Sequence, residues 1–233
     1  MTLADFKKTR TELVDQTLLL MDDPLGERWA ASRVPEALND AVLDFCMKTQ
    51  VIKAEINIVL KTNIHEYDIK TQVEEDGTLR LYGFPIRVGF NGNGDPGMWP
   101  TTLLTIDLMG SSQTANASPM QWHLDSVSPG KIVLFGPPAA DGTASPSESG
   151  NMQVTYIGLP NYMDDDGDYP DAHIPVASYE TIPYGAAAML LEEGDGDDLA
   201  KSIEYEALFR RGTLAAVAED YRSNTVYDDA RPA

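Results

Sequence analysis

Apolar positions near the start of the chain recur at intervals of three and four. Between Thr2 and Met21, the residues Leu3, Phe6, Leu13, Val14, Leu18 and Met21 fall at roughly helical spacing, which predicts an amphipathic helix. The stretch DDPLGER, with Pro24 and Gly26, ends it. A second helix has a cleaner pattern. Pro35 suits its first turn, Val34, Ala37, Leu38, Ala41, Val42, Phe45 and Cys46 step along one face, and Asn39, Asp40, Asp44 and Lys48 fall away from it.

The period changes at Ile52. Ile52, Ala54, Ile56, Ile58 and Leu60 alternate with Lys53, Glu55, Asn57 and Val59, the mark of a half-buried strand. Further strand-like runs are TLRLYG, PIRVGF, TLLTIDLM, MQWHL, KIVLFG and MQVTYIG, separated by turn chemistry such as Asp76-Gly77 and Pro129-Gly130. The Gly-, Pro- and Ser-rich stretch Pro137 to Asn151 reads as a long, mobile, exposed loop.

Helical character returns with YGAAAMLL just after Pro183. After a break at LEEGDGDDLA, Asp197 and Asp198 suit the start of a last helix. That helix places Leu199, Ile203, Ala207, Leu214, Val217 and Tyr221 on one side, and Gly212 is expected to interrupt or bend it. The expected fold class is α+β. N-terminal helices (residues 1–50) and C-terminal helices after an acidic linker (161–222) form a four-helix bundle. A β-rich central domain (51–160), sandwich- or barrel-like, is inserted between them, and an extended tail (223–233) follows.

Composition narrows the function classes. The 233 residues carry 17 Lys+Arg against 37 Asp+Glu, a formal charge of −20, which disfavours tight binding to a phosphate backbone. Cys46, the lone cysteine, cannot form an internal disulfide, and no zinc-ligand spacing exists. No apolar run approaches the ~20 residues needed to span a bilayer, and the start of the chain is amphipathic without a secretory apolar core. The expectation is a protein made in a reducing cytoplasm, with no membrane partner.

The chemical motifs are shallow. PNYMDDDGDYPD, Pro160 to Asp171, contains the tetrapeptide YMDD, which resembles the active-site signature of reverse transcriptases. Two-metal phosphoryl transfer would require a third carboxylate, for which Asp107 is the tempting partner, and a basic template surface that the sequence lacks. With Gly167 or Gly196 at the glycine position of an EF-hand loop, Tyr162 or Leu191 falls at the first ligand position, so neither stretch fits. GNGDPG, Gly92 to Gly97, is followed by a strand-like run where a dinucleotide site needs a helix. His65, His123 and His173 have no nucleophile signature attached to them. No catalytic residue, metal ligand or cofactor is assigned. Asp164, Asp165, Asp166, Asp168 and Asp171 are read as a solvated linker loop or one facing a channel, with divalent binding as the competing reading.

The order of parts resembles a known family. VPEALNDAVLDFC leads into a strand and HEYDIKT, the β-rich middle closes with VLFGPP and VTYIGLP, and IPVASYETIPYGAAAMLLEEGDGDDLAKSIEYEALFRRG follows. Over roughly residues 10–222 this is similar to the head-to-tail adaptor (connector) proteins of tailed bacteriophages, especially the A-type tail tubular proteins of short-tailed phages. The resemblance implies a structural virion protein, assembled in the host cytoplasm and sited at the head–tail junction. It also implies a homo-oligomeric ring, usually of twelve, between the portal protein and a tail nozzle or tail tube protein, with genomic DNA passing through. An extended C-terminal segment often inserts into the portal; here that is Asn224 to Ala233, with Val226, Tyr227 and Arg231 as its docking residues. The chain departs from the family in its long β-rich centre and in the loop Pro137 to Asn151. An acidic β-domain binding Ca²⁺ or carbohydrate is the alternative.

Overall fold

The computed structural model describes residues 7–29, 32–69, 81–90, 99–100, 121–124, 131–135, 138, 140–142, 151–170 and 174–229. The chain is mixed α+β and divides into two compact units, Met1–Ile52 with Leu159–Ala233, and Lys53–Gly158. Four α-helices are found among the described residues: α1 (Arg10–Leu20), α2 (Arg33–Thr49), α3 (Ile182–Leu191) and α4 (Gly196–Asp229). All belong to the first unit. None is long and apolar enough to cross a membrane.

α2 buries the face its spacing predicts, from Val34 to Cys46. It closes at Gln50, whose left-handed backbone (φ 53°) turns its N–H onto the Cys46 carbonyl at 2.8 Å. α1 starts later than its apolar spacing suggests. Thr9 and Glu12 form a capping box, and such a box fixes where a helix begins. Leu3 and Phe6 lie outside the described residues.

α3 is buried on nearly every side and packs against α1, α2 and α4. Its sequence, IPYGAAAMLL, explains why: small side chains let neighbouring backbones approach closely. A Cβ built on Gly185 would stand 2.8 Å from two ring carbons of Phe209 and 3.2 Å from Ala41 Cβ. Gly212 has the same use. It neither ends nor interrupts α4; a Cβ there would collide with the Thr181 side chain, just before α3.

The C-terminal expectation is corrected. The helical backbone continues through residues 223–229, where an extended tail was expected, and carries Val226 and Tyr227 with it. No Pro or Gly lies between Gly212 and Pro232 to stop a helix. Arg231 lies outside the described residues.

In the second unit, β1 (Lys53–Ile58), β7 (Met152–Gly158) and β3 (Leu81–Phe90) form an antiparallel sheet in the order β1-β7-β3. A second sheet runs β2 (Glu66–Asp68), β6 (Lys131–Phe135), β5 (Gln121–Leu124), β4 (Trp99–Pro100), with β4 and β5 parallel. The described end of TLRLYG, from Leu81, and PIRVGF belong to one strand rather than two. Its register shifts on both sides of Pro85, and β3 sits at the end of its sheet order, where a proline missing its N–H is tolerated. Ile56, Ile58, Val88, Met152, Val154 and Tyr156 from one sheet share an apolar cluster with Tyr67, Trp122, Ile132 and Leu134 from the other. The described part of the stretch expected to be a mobile loop is tied down. Asn63 donates its N–H to Pro138 O at 3.0 Å, Gly142 to Leu60 O at 2.9 Å, and Thr62 donates its N–H and hydroxyl to Asp141 Oδ1 at 2.6 Å each.

Gly185→Ala tests the close approach in the helical unit. Alanine gains up to about 1 kcal/mol of helix propensity, but overpacking against Phe209 and Ala41 costs about 1–3 kcal/mol. Urea unfolding is expected to show a net loss of stability, whereas propensity alone predicts a gain.

Candidate functional site

The acidic loop caps a helix with its backbone. The first turn of a helix leaves N–H groups without partners. In α1, Arg10 N–H donates to Asp168 O at 2.7 Å and Thr11 N–H to Asp166 O at 3.3 Å. Glu12 N–H donates to Thr9 Oγ1 at 3.3 Å, and Thr9 N–H to Glu12 Oε2 at 2.7 Å. The Thr11 hydroxyl adds a bond to Asp166 O at 3.0 Å, and the Arg10 guanidinium donates to Asp164 O. The carboxylate of Asp168 turns back on its own loop and accepts the N–H groups of Asp164 and Asp165 at 2.8 Å each.

This arrangement leaves Asp164, Asp165 and Asp166 pointing into solvent while their main chain is held. Met163, the second letter of YMDD, is buried. Asn39 brackets it, accepting its N–H at 3.0 Å and donating to its carbonyl at 3.4 Å. Among the described residues, no group of three or more His, Cys, Asp or Glu is placed to hold a metal ion. Asp171, Asp107, His173 and the GNGDPG stretch lie outside them. His65 is exposed with Nε2 3.8 Å from Glu66, His123 lies on β5, and Cys46 is buried in the α2 face.

Charge pairs join the α1–α2 corner to the α3–α4 corner, a feature that spacing along the sequence does not signal. The Asp23 carboxylate, buried, accepts N–H groups from Glu27 at 2.9 Å, Arg28 at 3.0 Å and Trp29 at 3.3 Å. This turns Arg28 onto Asp198 in a two-pronged contact, with Nη1 to Oδ1 at 3.1 Å and Nη2 to Oδ2. Lys201 pairs with Asp22, Arg33 with Glu193 at 2.5 Å, and the Tyr205 hydroxyl donates to Leu20 O at 2.8 Å. The hydrogen bond from Arg28 holds the Asp198 carboxyl below its usual range, and Asp198 in return raises Arg28.

The apolar stripe read along α4 lies on its outer face: Leu199 is 46% exposed, Ile203 63%, Leu214 69% and Val217 38%, and Ala207 is exposed too. The inner face consists of Asp198, Ser202, Phe209, Thr213 and Ala216. Its hydroxyls are satisfied by backbone carbonyls, Ser202 donating to Ala188 O and Thr213 to Phe209 O, each at 2.9 Å. A helix that must come close to glycine and alanines presents small residues, and Phe209 fills the space over Gly185. Beside the stripe, a groove of about 280 Å³ is lined by Met189, Leu199, Ile203 and Phe209 together with the charged residues Asp44, Lys48, Glu192 and Glu206. Compared with known proteins, the chain matches no family model and no curated protein.

Two outcomes follow. Asp198 titrates lower in the folded chain than the ~3.9 of an unfolded aspartate. Its contribution to stability is therefore complete above about pH 4 and is lost as pH falls through the folded value. Asp198→Asn is expected to lower Tm at pH 7 and to flatten the acid limb of a Tm–pH curve; an unchanged acid limb contradicts the role of the pair. The double change Asp164→Asn, Asp165→Asn removes two solvated charges and leaves the loop's backbone bonds in place. Stability measured in urea is expected to stay within about 0.5 kcal/mol, while Asp168→Ala, which strips two N–H groups of their acceptor, costs about 1 kcal/mol or more.

Proposed function

We propose that this chain is a head-to-tail adaptor of a tailed bacteriophage. It forms a ring, of twelve copies on the family pattern, between the portal protein and a tail nozzle or tail tube protein, and genomic DNA passes through. In this reading the four helices form a bundle that builds the ring wall, and the β unit is a sandwich- or barrel-like insertion. The C-terminal segment, with Val226, Tyr227 and Arg231, docks into the portal. It does so as a helix through Asp229 rather than as an extended strap. No catalysis, cofactor or sequence-specific DNA contact is assigned, and the place of action is the head–tail junction of the virion.

The observation that carries the reading is the outward apolar stripe of α4. A subunit of a closed ring needs apolar surface that its own fold does not cover. The solvent-facing carboxylates of Asp164, Asp165 and Asp166 suit a channel past which DNA slides without sticking. The stripe from Leu199 to Val217 extends about 27 Å along the helix. At ~10 Å wide it covers about 300 Å² per copy, short of the ~800 Å² per partner of a stable interface. With −20 of charge on each copy, self-association without a template is disfavoured.

The protein alone is therefore expected to sediment as a monomer at low salt. Mixed with the portal protein encoded beside it, it is expected to form a second ring stacked on the portal in negative-stain images, lost when residues 224–233 are deleted. Absence of stacking at every ratio and salt concentration would overturn the assignment. A rise in Tm with Ca²⁺ that disappears in the Asp164→Asn, Asp165→Asn protein would move the reading to a cation-binding domain.

A further inference from the structure

The chain holds four Asp-Gly pairs, Asp76-Gly77, Asp141-Gly142, Asp166-Gly167 and Asp195-Gly196, of which the first lies outside the described residues. Such a pair carries a latent reaction, because glycine has no Cβ to shield its main-chain nitrogen. That nitrogen attacks the side-chain carboxyl of the preceding aspartate, closes a succinimide ring and expels a water molecule. Water then reopens the ring. Opening at the α-carbonyl leaves the main chain running through the former side chain, an isoaspartate one methylene longer, with the α-carboxylate free. One water leaves and one returns, so mass and charge are unchanged and no oxidant or cofactor is needed.

The structure separates the three described pairs. At Asp141-Gly142 both reacting groups are engaged: Asp141 Oδ1 accepts the N–H and hydroxyl of Thr62 at 2.6 Å each, and Gly142 donates its N–H to Leu60 O at 2.9 Å. At Asp195-Gly196 the carboxylate serves the start of α4, with Oδ1 accepting the N–H groups of Asp197 at 3.3 Å and Asp198 at 3.5 Å, and Gly196 is already helical. At Asp166-Gly167 neither group is held. The two residues occupy the centre of a turn closed by Asp168 N–H to Asp165 O at 3.0 Å, a bond that leaves the Gly167 N–H unused. The Asp166 side chain is 91% exposed, with Arg10 Nη1 at 3.9 Å as its ion-pair partner among the described residues, and a Cβ on Gly167 would meet nothing within 4 Å. We propose that Asp166-Gly167 is a site of aspartate isomerisation and that the change loosens the cap of α1. Asp166 O accepts the Thr11 N–H and hydroxyl, and Asp168 O accepts the Arg10 N–H. An extra methylene between those two carbonyls takes Asp168 out of register with Arg10. The proposal concerns the backbone of one copy and is independent of the ring reading.

Peptide mapping with electron-transfer fragmentation, which tells isoaspartate from aspartate at each position, tests this on the full chain after prolonged warm incubation in mildly acidic buffer. Isoaspartate at position 166 is expected severalfold above that at 141 and 195. Equal levels at the three positions, or none at 166, would overturn the site. Asn91-Gly92 and Asn93-Gly94, which rearrange with loss of ammonia, fall on a different tryptic peptide. Gly167→Ala is expected to cut the yield at 166 severalfold while the protein stays folded, because the added Cβ shields the nitrogen and meets no neighbour; an undiminished yield would overturn the assigned chemistry. For the cap, the Arg10 and Thr11 amides are expected to exchange hydrogen severalfold faster in aged protein than in equally aged Gly167→Ala protein. The same exchange in both, with isoaspartate present at 166, would overturn the coupling to α1.

Discussion

The close approach of α3 to α2 and α4 sets what the rest of the helical unit can do. With Gly185 under the Phe209 ring and against Ala41, there is no room for a side chain at position 185. α4 therefore presents Ser202, Thr213 and Ala216 inward around a single aromatic, and its larger aliphatics turn outward. The exposed stripe is thus a consequence of how the interior packs. Gly212 applies the same constraint next to Thr181, allowing α4 to run past the start of α3 without a break.

The acidic loop shows how charge and structure separate within a few residues. Its carbonyls and the Asp168 carboxylate are used locally, to satisfy the first turn of α1 and to shape the loop, while the remaining carboxylates stay in water. Four letters shared with a polymerase signature sit where one of them, Met163, has a buried side chain and a main chain held by Asn39. The chain's strong negative charge is therefore compatible with a well-ordered loop.

Much of this was legible in the sequence where burial was two-sided and periodic. The α2 face was readable residue by residue, and so was the inward set Ile56, Ile58 and Leu60, because hydrophobic spacing and burial coincide there. The outward turn of α4 was hidden because spacing reports that a stripe exists and not which body covers it. The inner face was masked by hydroxyls that donate to backbone carbonyls, Ser202 to Ala188 of α3 and Thr213 to Phe209 of its own helix. The pairing of Arg28 with Asp198 joins residues 170 positions apart, and no local pattern encodes it. In the β unit, TLRLYG and PIRVGF read as separate runs, but Pro85, on a strand at the end of the sheet order, sits at a register shift within one strand.

The central proposal is that the α4 stripe is covered by a neighbouring copy in a ring docked on a portal protein. Electron cryo-microscopy of the portal-bound protein, at a resolution that shows side chains, measures this directly. The account predicts a closed ring in which Leu199, Ile203, Leu214 and Val217 of each copy are buried against the next. A ring with those residues facing solvent or the central channel, or no ring at all, would contradict it.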